Sequence, residues 1–311
     1  MNRRRIFSYL LLGLWIALLA ASPFIANNYF VKIATYIAMF AVIAMSWNFI
    51  GGYAGYPSFA TAAFVGLGSY SGALLQNAGM PMLIAWFFAS LIVALFAASL
   101  GLVILRMKGH YFAIGSIALV DILSHTASSW SSLTGGGEGL NVKIMQGGPD
   151  YVGMVFLYTM LVIMILAFVT TVLVDRSKLG FGLRCIQQNE DAADMLGINV
   201  MLYKNIAFIL SSVFCGLIGA AYASWVAYIA PTDSFSILLT LKAAVMVLLG
   251  GAGTVFGPIV GSAALVIFEE TIWSSFLSLH QGILGLVIVL LIFFLPNGLL
   301  RINWKSWIKR K

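Results

Sequence analysis

Apolar runs recur along this chain with little more than turns between them. They stand at about 6–26, 30–50, 58–76, 82–105, 110–129, 152–174, 206–229, 237–250, 255–272 and 282–297. A helix needs about 20 residues to cross the hydrocarbon core of a bilayer. Only helices and closed barrels satisfy their own backbone there. Of the 311 residues 61% are hydrophobic and 9% charged, against about 25% charged in ordinary soluble domains. No soluble core hides that much apolar surface, so the bilayer is the expected solvent. The expected fold is all-α, a polytopic integral membrane protein with about ten transmembrane helices, in the range of about eight to ten. Several runs are short, and the Gly51-Gly52 and Gly250-Gly251 breaks interrupt apolar stretches. The pattern allows for helices broken inside the membrane, and a single transmembrane domain over 1–311 is expected.

Charge orders these spans. Residues Met1–Arg5 carry three arginines ahead of the first apolar run. Ala20-Ala21-Ser22 near its end imitates a signal peptide, but the run exceeds the usual h-region and more spans follow. It is read as the first span. With the N-terminus inside and the spans alternating, only Lys32, Lys143 and Lys242 of the 17 Lys and Arg residues fall outside or near the outer face. Such an asymmetry is what the positive-inside rule requires. It puts both termini and the 176–204 loop in the cytoplasm, and the Gly- and Ser-rich segment 130–151 outside. The net charge of +7 is thus a membrane-edge feature. No basic stripe with interleaved aromatics is present, so nucleic acid is not an expected partner.

Energy-using, metal and cofactor motifs do not appear. There is no Walker A sequence, so uphill transport would draw on another chain or an ion gradient. Gly251-Ala-Gly253 followed by Gly257 has the wrong spacing for a dinucleotide fingerprint and no preceding strand. In Gly68-Ser-Tyr-Ser-Gly72, Tyr70 occupies the nucleophile position of a serine elbow. No HExxH or similar cluster suggests a metal. Neither a cofactor nor catalytic residues are expected. Cys185 and Cys215, 30 apart, read as free thiols.

Some positions are candidates for a translocation path. Asp121 and His125 lie four apart in one span, hence on one helix face, and ionisable groups at membrane depth are functional candidates by default. A role in helix packing near the outer end competes with that reading. Tyr53, Ser58 and Thr61 would offer polar groups to a path if the glycine-flanked segments 51–61 and 250–258 are broken helices beside it. The competing reading is packing alone: Gly51-xxx-Gly55, Gly68-xxx-Gly72 and Gly253-xxx-Gly257-xxx-Gly261 have the spacing of close helix contacts. Glu269 and Glu270 are expected to be solvated, and Lys242 to extend its stem outward.

Arg176–Lys204 is the longest polar interruption. Within it, Asn189 precedes Glu190 and Asp191, then come Ala192, Ala193, Met195, Leu196 and Gly197. Asn is a favoured N-cap, acids suit the first turn, and Gly is the usual stop. A helix of about two turns is expected, with an apolar face of Ala192, Met195 and Leu196. Such a face suits a groove on a partner; the alternative is an amphipathic helix lying on the membrane surface.

RSKLGFGLRCIQQNEDAADMLGINVMLYK at 176–204 resembles the cytoplasmic loop of the LivM-type permeases of branched-chain amino acid ABC importers. SWNFIGGYAGYPSFATAAFVGLGSY at 46–70, RMKGHYFAIGSIAL at 106–119, LTGGGEGL at 133–140 and VLLGGAGTVFGPIVG at 247–261 agree with it in order. The sequence departs from the family pattern at Tyr56-Pro57 and Gly137-Glu138, both placed where substrate would pass. The resemblance implies that the helix of Glu190, Asp191, Ala192, Ala193, Met195, Leu196 and Gly197 docks on an ATPase. It further implies a homologous second permease subunit, two ATP-binding subunits, an external solute-binding protein and a small-molecule substrate, at a bacterial-type plasma membrane. Relatives of this kind move branched-chain amino acids, others urea, short amides or other small solutes. A secondary transporter or channel would need no docking helix.

Overall fold

The computed structural model describes residues 13, 15–23 and 27–275 of the chain. Its long helices are α1 (Asn28–Trp47), α2 (Ala60–Asn77), α3 (Met82–Ile104), α4 (His110–Ser129), α5 (Pro149–Arg176), α8 (Val200–Val226), α9 (Ile237–Gly250) and α10 (Gly257–Ser275). Two shorter helices, α6 (Lys178–Gln188) and α7 (Glu190–Met195), lie between α5 and α8. A helical segment 15–23 precedes α1, and Ala20 in it accepts a hydrogen bond from Tyr158 of α5 at 3.1 Å. Among the described residues six helical stretches are long and apolar enough to cross a membrane. That number is compatible with the expected eight to ten. Helices α2 and α10 pack among these six, the run at 6–26 is described only in part, and the run at 282–297 lies outside the described residues.

The polar stretch after α5 folds locally, because its side chains cap three helices in succession. Ser177 accepts from Gly180 N at the start of α6, Asn189 from Ala192 N at the start of α7, and Asn199 from Leu202 N at the start of α8. Each satisfies one of the backbone donors a helix start leaves open. Helix α6 itself was not anticipated in the sequence. Its buried Leu183 and Ile186 face the spans, while Phe181 stays exposed.

Helix α8 is the central post, packed most extensively against α2 and α3. The seam is built from small residues. A Cβ on Gly72 would stand 2.6 Å from the Ala220 Cβ, and one on Gly68 2.6 Å from the Gly216 Cα. In lipid, where apolar burial drives little association, such close approach supplies the dispersion contacts that hold helices together. The packing reading of Gly68-xxx-Gly72 is thus borne out. Polar links reinforce the seam: Ser69 donates to Gly219 O at 3.0 Å, and Ser224 accepts from both Gln76 and Trp86.

The two ends of the bundle differ. At one end Leu140–Asn141 (β1) pairs antiparallel with Tyr228–Ile229 (β2), joining the 130–148 loop to the end of α8. Near the same end Lys242 lies 3.0 and 3.1 Å from the two carboxylate oxygens of Glu269, and Tyr29 donates to Glu270. These links correct the expectation of an outward-reaching Lys242 and freely solvated Glu269 and Glu270. The partners sit on neighbouring helices, a juxtaposition the linear charge pattern does not reveal. The other end gathers α6, α7, the Arg106–Lys108 turn and the breaks after α1 and α9. Cys185 and Cys215 are free.

Candidate coupling site and translocation face

Helix α7 has the expected boundaries. Asn189 Oδ1 accepts from Ala192 N at 3.0 Å. At the other end Gly197 N donates to Asp194 O at 2.9 Å and Ile198 N to Ala193 O at 3.1 Å, the paired bonds of a Schellman stop. Gly197 has φ +83, a conformation that costs a side-chain-bearing residue about 1 kcal/mol or more. Met195 and Leu196 are 84% and 77% exposed. Ala193 is 1% exposed, so it faces its own chain and not the side a partner would meet. Ala192 is half-buried and Asp191 exposed.

Helix α7 is fastened to the spans by one buried cation. Lys204, in the second turn of α8, is 2% exposed. Its Nζ lies 2.9 Å from Glu190 Oε1, 3.1 Å from Leu105 O at the end of α3, and 3.4 Å from the Tyr56 hydroxyl. The ammonium also sits over the Tyr56 ring, 4.4 Å from its centroid. Tyr56 donates to the second Glu190 carboxylate oxygen and packs edge-on against Phe112 of α4. Burial pushes the Glu190 carboxyl up, but hydrogen bonds from Tyr56 and Lys204, with the charge of Lys204, outweigh it and leave Glu190 below its ordinary value. Glu190 is therefore ionised at neutral pH and pairs with Lys204. An open polar cleft of about 660 Å³ borders this cluster, with Lys108 and Asp191 paired at 2.8 Å among its lining residues. The Lys108 hydrogen bond holds Asp191 below its ordinary value too.

The glycine breaks meet one another. After α1 the chain widens into a π-helical turn, Asn48–Tyr53. The buried Asn48 side chain donates to Thr254 O at 3.0 Å and accepts from Gly253 N at 2.9 Å, joining the two glycine-flanked segments. A Cβ on Gly52 would stand 2.7 Å from Gly253 N. Irregular backbone at membrane depth must find partners in protein or water, and here protein supplies them. Ser116 of α4 accepts from Phe59 N, Thr240 of α9 accepts from Ala62 N and donates to Phe59 O, and Trp47 Nε1 donates to Ser58 O. The helices do break at these glycines, and the surroundings of the breaks are packed side chains.

The path candidates divide accordingly. Tyr53 is fully buried, donates to Asp175 at 3.2 Å and lies under the Arg184 guanidinium. It fastens the break to the α5–α6 corner. Ser58 is buried within the break, and Thr61, buried at the start of α2, has an unpartnered hydroxyl. Asp121 and His125 are both exposed on α4 and stand apart from that group. Tyr56, one of the departures from the family pattern, is a fastening residue of the buried cluster.

The family model described as the permease component of a branched-chain amino acid transport system matches residues 29–292. That is most of the chain, and it includes both breaks, α7 and Lys204. The chain belongs to this permease family. It is similar to the high-affinity branched-chain amino acid transport system permease protein LivM of Escherichia coli (strain K12), 26% identical over 92% of this chain and 73% of that protein. It is similar to the probable branched-chain amino acid transport permease protein LivM of Methanocaldococcus jannaschii, 21% identical over 86% of this chain and 92% of that protein. A shorter stretch, 22% of each chain, is 34% identical to the guanosine ABC transporter permease protein NupQ of Bacillus subtilis (strain 168). No solved structure matches.

In this permease, sequence reasoning missed Asn48, Tyr56 and Lys204 as parts of the site. Asn48 left a signal, being a lone carboxamide at the end of a long apolar run. Lys204 counted as one more inside-facing charge, because nothing local separates a solvated lysine at a helix start from one that α3 and α7 enclose. Tyr56 stood out only as a departure from pattern.

Proposed function

We propose that this permease is the membrane-spanning subunit of an ATP-driven importer for branched-chain amino acids, with α7 as its docking helix. The observation that carries the reading is the Met195–Leu196 pair, exposed on a capped and stopped helix whose other side is bound to the spans. Two large apolar side chains held rigidly outward suit a pocket on a partner. One homologous permease subunit, two ATP-binding subunits and an external solute-binding protein complete the assembly. Both termini are cytoplasmic, and α7 lies on the cytoplasmic side, where Arg106, Lys108, Arg176, Lys178 and Arg184 gather.

The α4 face of Asp121 and His125 borders the substrate route and is covered by the second permease subunit. A carboxylate left facing hydrocarbon costs about 3 kcal/mol on insertion scales; water in a route or a polar partner surface removes that cost. Tyr53 and Ser58 hold the wall of the route, and Thr61 offers its unpartnered hydroxyl to it.

Double substitution Met195→Asp and Leu196→Asp tests the reading. The expected result is normal insertion, loss of co-purifying ATPase subunits and loss of uptake. Retained association and uptake would reject α7 as the docking helix. The relative named as a guanosine permease makes nucleosides, with urea and short amides, the competing substrates against leucine, isoleucine and valine in binding-protein and uptake assays.

A further inference from the structure

Lys204 has no place in docking or in the substrate route, yet it is the most completely buried charged side chain among the described residues. A cation in that position is stable only with its partners in place. Those partners come from separate pieces of the chain: Glu190 from α7, Leu105 O from the end of α3, and Tyr56 from the segment after the π-helical turn. Tyr56 completes the ring by donating to Glu190. Through Phe59 N and Ser116 the Tyr56 segment continues to α4, and through Asn48 the adjoining turn continues to the break at Gly253.

We propose that Lys204 is a positioning residue for coupling, the junction through which movement of α7 is delivered to α8, α3 and the broken-helix segment. This rests on the reading of α7 as the docking helix. The physical reason is asymmetric. Met195 and Leu196 make no anchoring contact with the spans, so a partner can grip them freely. Glu190, at the other end of the same helix, cannot leave Lys204 without leaving a buried ammonium short of its only anionic partner, with Leu105 O and the Tyr56 hydroxyl alone to hold it. Displacement of α7 therefore drags the ion pair, and the elements that share Lys204 follow. Apolar contacts alone would let α7 slide. The exposed Lys108–Asp191 pair cannot serve instead, because water replaces either partner at little cost.

The test uses the complete transporter in vesicles, with ATPase subunits and binding protein, and measures ATP hydrolysed per substrate molecule imported. Wild type first establishes that hydrolysis and uptake are coupled; absence of coupling there would overturn the docking reading itself. Lys204→Met preserves length and removes charge. The expected outcome is an assembled complex whose uptake per ATP falls about tenfold, with substrate half-saturation unchanged. Lys204→Arg, keeping a cation with fork geometry, restores most of the coupling. The exchanged pair Glu190→Lys with Lys204→Glu is expected to import better than either single change, as an interacting pair requires. Wild-type uptake per ATP in an assembled Lys204→Met complex would overturn the proposal. Should that variant fail to insert, Glu190→Gln decides: it leaves Lys204 its bonds to Leu105 O and Tyr56, and unchanged coupling there would overturn the proposal equally.

Discussion

The two ends of the bundle are held together by different chemistry. Where the 130–148 loop meets the end of α8 the fastening is backbone to backbone, beside the Lys242–Glu269 and Tyr29–Glu270 side-chain links of the same end. Leu140 and Asn141 pair with Ile229 and Tyr228, Val142 N donates to Ala227 O at 2.9 Å, and Gly139 turns the chain at φ +76 with Ile229 O where a side chain would begin. Tyr228 adds a hydrogen bond to Glu138 O. At the opposite end the fastening is through side chains, chiefly the Glu190–Lys204–Tyr56 cluster and the Asp175–Arg184 and Asp191–Lys108 pairs. Backbone pairing fixes register over several residues at once and tolerates little displacement. A side-chain ion pair holds a single point and lets the helix it belongs to tilt about that point. One end is therefore built as a plate and the other as a joint.

Substitutions sharpen that contrast. The largest effect is expected from Ala193→Glu, which puts an unpaired carboxylate at a position 1% exposed. Loss of about 3 kcal/mol or more of stability follows from burying a charge without a partner, visible as a lower unfolding temperature in detergent. Retained wild-type stability would show that α7 can swing clear of the spans at no cost, which breaks the description of a joint.

Gly139→Val comes next. The backbone there has φ +76 and ψ −170, territory nearly restricted to glycine and costing other residues about 1–3 kcal/mol. Unfolding temperature should fall, and protease should cut within the 130–148 loop. A loop that stays resistant would mean that the strand pairing does not depend on this turn, and the plate is not as described.

Acid separates the ends more gently. The folded value of Glu190 lies below its ordinary 4.5. Its contribution is thus fully present above about 4.5 and lost as pH falls through the lowered folded value. The stability difference between wild type and Glu190→Gln should be level at neutral and alkaline pH and shrink in acid. A difference that grows in acid would assign the shift the wrong sign. The strand-paired end has no such carboxylate in its backbone bonds, so the Gly139→Val difference should stay level over the same range.

Asp191→Asn should do least. Both members of its pair with Lys108 are exposed, and exposed pairs contribute little. Unchanged stability and uptake are expected. A clear loss of coupling would move the joint from Lys204 to the surface pair.

Much of this could be read from residues alone, because the signals are local. Apolar runs against a bilayer of fixed thickness determined the all-α class and the approximate position of every described span. Asn189 and Gly197 determined where α7 starts and stops, since capping needs only the few residues around it. Gly68 and Gly72 announced a close helix contact, and the two glycine pairs announced broken helices. Their partners were not legible. That Asn48 joins the breaks, that Thr240 and Ser116 satisfy them, and that Lys242 meets Glu269 depend on helices far apart in the chain.

Lys204 marks the boundary most clearly. The sequence by itself determined that a lysine stands at the foot of a span, on the basic side of the membrane. Only the tertiary structure decided that α3 ends above it, that Tyr56 lies beneath it and that Glu190 reaches it. A charge is indifferent to its neighbours in water, whereas in a buried site its energy depends on which atoms stand within about 3–4 Å. Those atoms arrive from three separate elements, and their meeting is a property of the packed fold.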